Sequence, residues 1–182
     1  MERMLSIFLN TGTQHSETRV FRLCNKALGA SLLIVMLLTG TVKSAQWRDV
    51  KPLTSTREDV IKLLGKGKID RPDLSVYQFE NERVSFEYST GACGEGQNAW
   101  NVPNGTVTSI WVEPVTQLKL SDVKLRMTDY KKEQDPHVMY IYYLVDEIRG
   151  SKYTVDEGSN SITMIEYFPT LDERRFRCKS NP

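Results

Sequence analysis

The chain has 182 residues, with 24 Lys+Arg against 23 Asp+Glu and a formal net charge of +1. Such a balance excludes a strongly basic surface with a long-range pull on nucleic acid or anionic lipid. The length allows one domain of ordinary size, able to bury a core without a metal.

In chain order, the first expected element is a leader. "TRVFRLCNK" is basic, "ALGASLLIVMLLTGTV" (27–42) is uncharged and apolar, and "KSAQW" brings small residues. A basic region, a short apolar region and a small-residue cut form the pattern of a secretory signal peptide over 1–44, with Val42 and Ser44 suited to cleavage before Ala45. The apolar run is shorter than the roughly 20 residues of a spanning helix, so an uncleaved inner-membrane anchor through 27–42 is the alternative. Arg3, Arg19, Arg22, Lys26 and Lys43, with Glu2 and Glu17, lie in that leader. That leaves 19 bases against 21 acids in 45–182, a net of −2. The expected location is the periplasm or the exterior, and no nucleic-acid partner is expected.

After a short lead-in, Ser55-x-x-Glu58 reads as a capping box. Val60, Ile61, Leu63 and Leu64 then form an apolar stripe, and Gly65 is placed to end the helix in a left-handed conformation. Such a short helix must lie on something. Tyr77, Phe79, Val84, Phe86 and Tyr88 alternate with Gln78, Ser85 and Glu87 around a polar turn, the pattern of a β-hairpin. A third strand, "NGTVTSIWVEP", is entered by Asn104-Gly105 and closed by Pro114. In "VTQLKLSDVKLRM", Leu118 and Leu120 alternate, and Ser121-Asp122 reads as the cap of a short helix reaching Met127. Strands are expected around Met139–Val145, Lys152–Val155 and Ile162–Phe168, with turns at Arg149-Gly150 and Gly158–Asn160. In "YIYYLV", Tyr140 and Tyr142 share one face and Ile141 and Tyr143 the other, which reads as a strand covered on both sides.

The expected fold is therefore α+β: about six antiparallel strands in one or two sheets, with one or two short helices packed on one face. Residues 45–182 make a single domain. Its halves, 45–116 and 117–182, look alike in outline and end on "IWVEP" and "IEYFP".

Cys93 lies in the Gly-rich "STGACGEGQNAW" and Cys178 in the tail, about 85 positions on. Export favours a Cys93–Cys178 disulfide, with two free thiols or a reactive Cys93 as alternatives. A bridge of that span stabilises by about 4–5 kcal/mol in the chain-entropy account, less any native strain. Cys93, Cys178 and the one histidine of 45–182, His137, fall short of the roughly four ligands of a zinc site, so no metal and no cofactor is expected. Trp100 and Asn101, in the polar loop "NAWNVPNG", are the candidate binding residues, since exposed amphipathic aromatics anchor interfaces. The bland reading folds Trp100 back over the sheet edge. The basic "DERRFRCK" reads as a solvated tail. Among the acids, Glu113 and Glu166, near strand ends, are the nearest to catalytic candidates, and neither has a marked apolar setting.

"WRDVKPLTSTREDVIKLLGK", "FENERVSFEYSTGAC", "WNVPNGTVTSIWVEP" and the closing "FRC" resemble a family of small secreted bacterial proteins of acidobacterial type, to which no function is assigned. Gly67 departs from that pattern, where a proline is expected. "STREDVIKLLGKG" followed by a hairpin is also similar, more distantly, to the helix-then-meander unit of the SmpA/OmlA (BamE) lipoproteins and of β-lactamase-inhibitor-like proteins. That likeness implies a class of scaffold and no catalytic residue. The lack of a lipoprotein cysteine after the apolar run argues against a BamE role.

The leading functional reading is a non-enzymatic binding module of the cell envelope or extracellular space. It would use an open sheet face and the Trp100 loop to hold an envelope or extracellular protein, or another envelope component. The alternative is a small hydrolase built on carboxylates or on Cys93 with His137.

Overall fold

A computed structural model describes residues 44–93 and 99–178, so apart from Ser44 the expected leader lies outside the described residues. Helix α1 (Arg57–Leu64) starts one residue later than its sequence signal. Thr56 is the cap. Its hydroxyl accepts the Asp59 N–H at 3.2 Å, and the Asp59 carboxylate accepts the Thr56 N–H at 2.9 Å. This is a reciprocal capping box with Asp in place of Glu. Ser55 instead takes the Lys51 N–H on its own hydroxyl at 3.0 Å. The helix ends at Gly65, whose φ of +77° is positive, though its ψ of −162° is extended rather than left-handed helical. At Gly67 a Cβ would sit 2.8 Å from the carbonyl oxygens of both Ile69 and Val76, so this backbone takes no side chain, proline included, without moving.

Among the described residues nine strands form one antiparallel sheet: β1 (Ile69–Asp70), β2 (Leu74–Gln78), β3 (Glu82–Tyr88), β4 (Val107–Pro114), β5 (Leu118–Lys119), β6 (Lys131–Gln134), β7 (Ile141–Asp146), β8 (Ser151–Asp156) and β9 (Ser161–Tyr167). The expectation of about six strands is corrected upward. The three missed are the two-residue β1 and β5 and the polar "KKEQ" of β6, none long or alternating enough to register as strands. The spatial order is β1-β2-β3-β4-β9-β8-β7-β6, with β5 also pairing with β9. Each half is thus a meander, and the last strands of the two halves pair with each other as Ile110↔Tyr167, Trp111↔Glu166 and Val112↔Ile165. Ile110 and Pro114 have their counterparts in Ile165 and Pro169, each 55 positions on, so the likeness of "IWVEP" and "IEYFP" has a spatial meaning.

One face of the sheet is covered. In the first half Val84, Phe86, Tyr88, Ile110 and Val112 point under α1 and the lead-in, which contribute Val60, Trp47 and Val50. Only Val60 of the expected helical stripe is fully buried, and Leu63 is 44% exposed. Eight residues cover too little, and Trp47 supplies the rest, its ring edge-on to Phe86 at 5.5 Å. In the second half Tyr142, Leu144, Tyr153, Val155 and Ile162 lie under Leu118, Leu120, Val123, Leu125 and Tyr130. Ile165 packs against both clusters.

The cover of the second half contains no α-helix, only two 3-10 turns at Leu120–Asp122 and Met127–Asp129, which corrects the expected helix after Ser121. Spacings of two, as in Leu118/Leu120 and Val123/Leu125, bring side chains to one side of an extended chain and to opposite sides of a helix. Tyr142 is buried, but Tyr140 is 61% exposed, because the strand begins only at Ile141.

Candidate functional site

Alternation on β3, and on β4 and β9 past a bulge in each, sends the side chains between core positions to the other, uncovered face. There Glu87 stands opposite Ser109, and Trp111 opposite Glu166, at the seam between the halves. The Ser109 hydroxyl donates to the Glu87 carboxylate at 2.7 Å, and Lys152 forms an ion pair with Glu166. Trp111 is 36% exposed, a large apolar side chain on the uncovered face.

The wall above this floor comes from the connection between β3 and β4 and from the tail. Cys93 and Cys178 are joined by a disulfide, with Cα atoms 5.5 Å apart. Around it the two segments run antiparallel. The Cys178 N–H donates to Ala99 at 3.0 Å, the Asn101 N–H to Phe176 at 2.7 Å, and Trp100 bridges Arg177. Within the loop the Cys93 N–H donates to the Trp100 carbonyl at 3.0 Å. The tail itself turns through a 3-10 helix, Asp172–Phe176, begun by the Glu173 carboxylate on the Thr170 N–H and hydroxyl. Arg174 then reaches Glu147 at 3.0 Å.

Floor and wall enclose a groove of about 690 Å³, within the range that suits a small ligand. Its described lining includes both Trp100 and Trp111. Arg71, Arg174 and Arg177 are matched in number by Asp73, Glu87 and Glu166, so the groove carries no strong net charge.

Scanned against family models, curated proteins and solved structures, the chain matches nothing. The resemblances of its motifs to a secreted bacterial family and to BamE-like scaffolds rest on those motifs alone.

The sequence-based candidates separate in space. Trp100 lines the groove, half-buried, whereas Asn101 is exposed and only its backbone engages the tail. The basic tail, expected to be a solvated cluster, contributes Arg174 and Arg177 to the groove wall. Glu166 lies in the groove, and Glu113 pairs with Arg83 at 3.4 Å. The sulfur of Cys93 is committed to the disulfide, and His137 sits in the β6–β7 connection, its backbone N–H donating to the Asp135 carboxylate at 2.8 Å. Among the described residues no group of three or more His, Cys, Asp or Glu is arranged to hold a metal. Sequence reasoning missed Trp111, Glu87 and Arg71. The signal for Trp111 was present: in "SIWVE" it falls between two core positions of a strand and so on the uncovered face.

Proposed function

We propose that this protein is an extracytoplasmic binding module, not an enzyme, and that the groove over the β4–β9 seam holds an envelope or extracellular component. The observation that carries this reading is the exposed indole of Trp111 at the centre of an uncovered sheet face, beneath a wall held by a cross-link. Exposed aromatics with a polar surround are the usual anchors of binding surfaces. The charged groups here are spoken for by structural partners: Glu166 by Lys152, Glu87 by Ser109, Arg71 by Asp73 and Arg174 by Glu147. That pattern supports a recognition surface over acid–base chemistry. The Cys93–Cys178 bond supports a working place outside the reducing cytosol. Among the described residues no helix is long and apolar enough to cross a membrane.

The test is retention of envelope components on the immobilised, oxidised protein beside its Trp111→Ala variant. Wild type should retain components that the variant loses by about tenfold or more. Identical retention by both would remove the groove from the function.

A further inference from the structure

The inference rests on the groove being the binding site and concerns what it holds. We infer that the groove takes a neutral, polyhydroxylated ligand: a saccharide chain of the cell envelope or its surroundings.

Three features lead there. First, the floor offers no main-chain ladder. β3 is paired on both sides by β2 and β4, and β4 is paired by β3 along its length and by β9 over Ile110–Val112, so the backbone around Trp111 is consumed within the sheet. An extended peptide gains its affinity at a free strand edge, which the floor at Trp111 lacks. Recognition must come from side chains. Second, those side chains are of two kinds. Trp111 in the floor and Trp100 in the wall present indoles, whose electron-rich faces attract the polarised C–H groups on one side of a sugar ring. Around them stand the carboxylates of Asp73, Glu87 and Glu166 and the guanidinium of Arg71, each held by a protein partner through one terminal atom, with a second terminal oxygen or nitrogen of the kind that accepts from or donates to a sugar hydroxyl. Third, three arginines face three carboxylates in the described lining. A phosphate or polyanion would meet the acids, and a polycation would meet the arginines. A neutral ligand rich in hydroxyls pays neither repulsion.

The three tryptophans make the test direct. Trp47 is 6% exposed in the core of the first half, whereas Trp100 and Trp111 line the groove. In ¹⁵N-labelled oxidised protein the three indole N–H resonances are followed during titration with cellotetraose, chitotetraose and a random-peptide pool. A tetrasaccharide should move the Trp100 and Trp111 resonances, leave Trp47 in place, and saturate with a dissociation constant of about 1 mM or tighter. Trp111→Ala should weaken binding by about tenfold or more, and Trp111→Phe should restore part of it. The unmoved Trp47 resonance reports that each variant is folded. If neither sugar moves the groove indoles at about 10 mM, the saccharide assignment is overturned. If the peptide pool then moves them, the binding-module reading survives with another ligand class. If nothing moves them, both fall.

Discussion

Residues 45–114 and 115–178 each run from a covering segment through a meander to a final strand, and those final strands, β4 and β9, lie side by side. Yet the return from β8 to β9 takes only residues 157–160, whereas the return from β3 to β4 takes 89–106. The short return makes a plain hairpin. The long one carries Cys93 and Trp100, and its Ala99 and Trp100 line the groove and pair with the tail. The same frame built twice thus yields a site once, and the difference lies in one connection. Sheet pairing supplies the floor in both halves, but only a chain long enough to leave the sheet supplies a wall.

The strongest way to break this comparison is to remove the staple. Cys93→Ala with Cys178→Ala should lower the unfolding free energy by up to about 4–5 kcal/mol, since the bridge spans 85 positions. Hydrogen exchange should show lost protection at residues 99–101 and 177–178 with protection kept across β7 and β8. Loss of protection throughout the sheet would mean that the wall is part of the frame.

Next come the two cores. Phe86→Ala and Leu144→Ala each empty a fully buried site, one per half, and should cost about 3–5 and 2–5 kcal/mol. Because β4 pairs with β9 and Ile165 packs on both clusters, both variants should shift a single denaturant transition. Two separate transitions would show that the halves are independent.

A smaller effect is alkaline. Burial pushes the Tyr88 hydroxyl up to about 12 in the first half and raises Tyr153 in the second. The folded values lie above the unfolded value of about 10, so the stabilisation is complete below pH 10 and is lost as pH rises through the folded values. The melting temperature should hold up to pH 10 and fall between pH 10 and 12. Tyr88→Phe should flatten part of that slope, worth about 2 kcal/mol.

Smallest is the cap. Thr56→Ala should cost about 1 kcal/mol by thermal unfolding. Ser55→Ala, which leaves the helix cap in place, separates the two neighbouring hydroxyls.

Local pattern accounts for what was legible. Val84, Phe86 and Tyr88, and Ile110 and Val112, alternate as half-buried strands must, and the hairpins around them follow. The cysteine pair was legible from chemistry rather than geometry, through the expected compartment. The β4–β9 seam was not legible, because pairing between strands some fifty residues apart leaves no mark on either alone beyond the paired Ile and Pro. Trp47 was passed over in an irregular lead-in, although it fills the gap that an eight-residue helix leaves. The groove needed the seam, the long connection and the tail together. Trp100 was therefore visible as a loop aromatic, while Glu87 and Arg71 were ordinary surface charges until the chain brought them to one place.

The sheet also ends in a particular way. One margin is β1, only two residues long, and the other is β6, whose Lys131 and Lys132 stand 78% and 55% exposed. A stub and a pair of solvated ammonium groups are poor templates for a further strand. Both outer strands therefore offer little purchase for sideways growth, while the groove opens on the flat of the sheet.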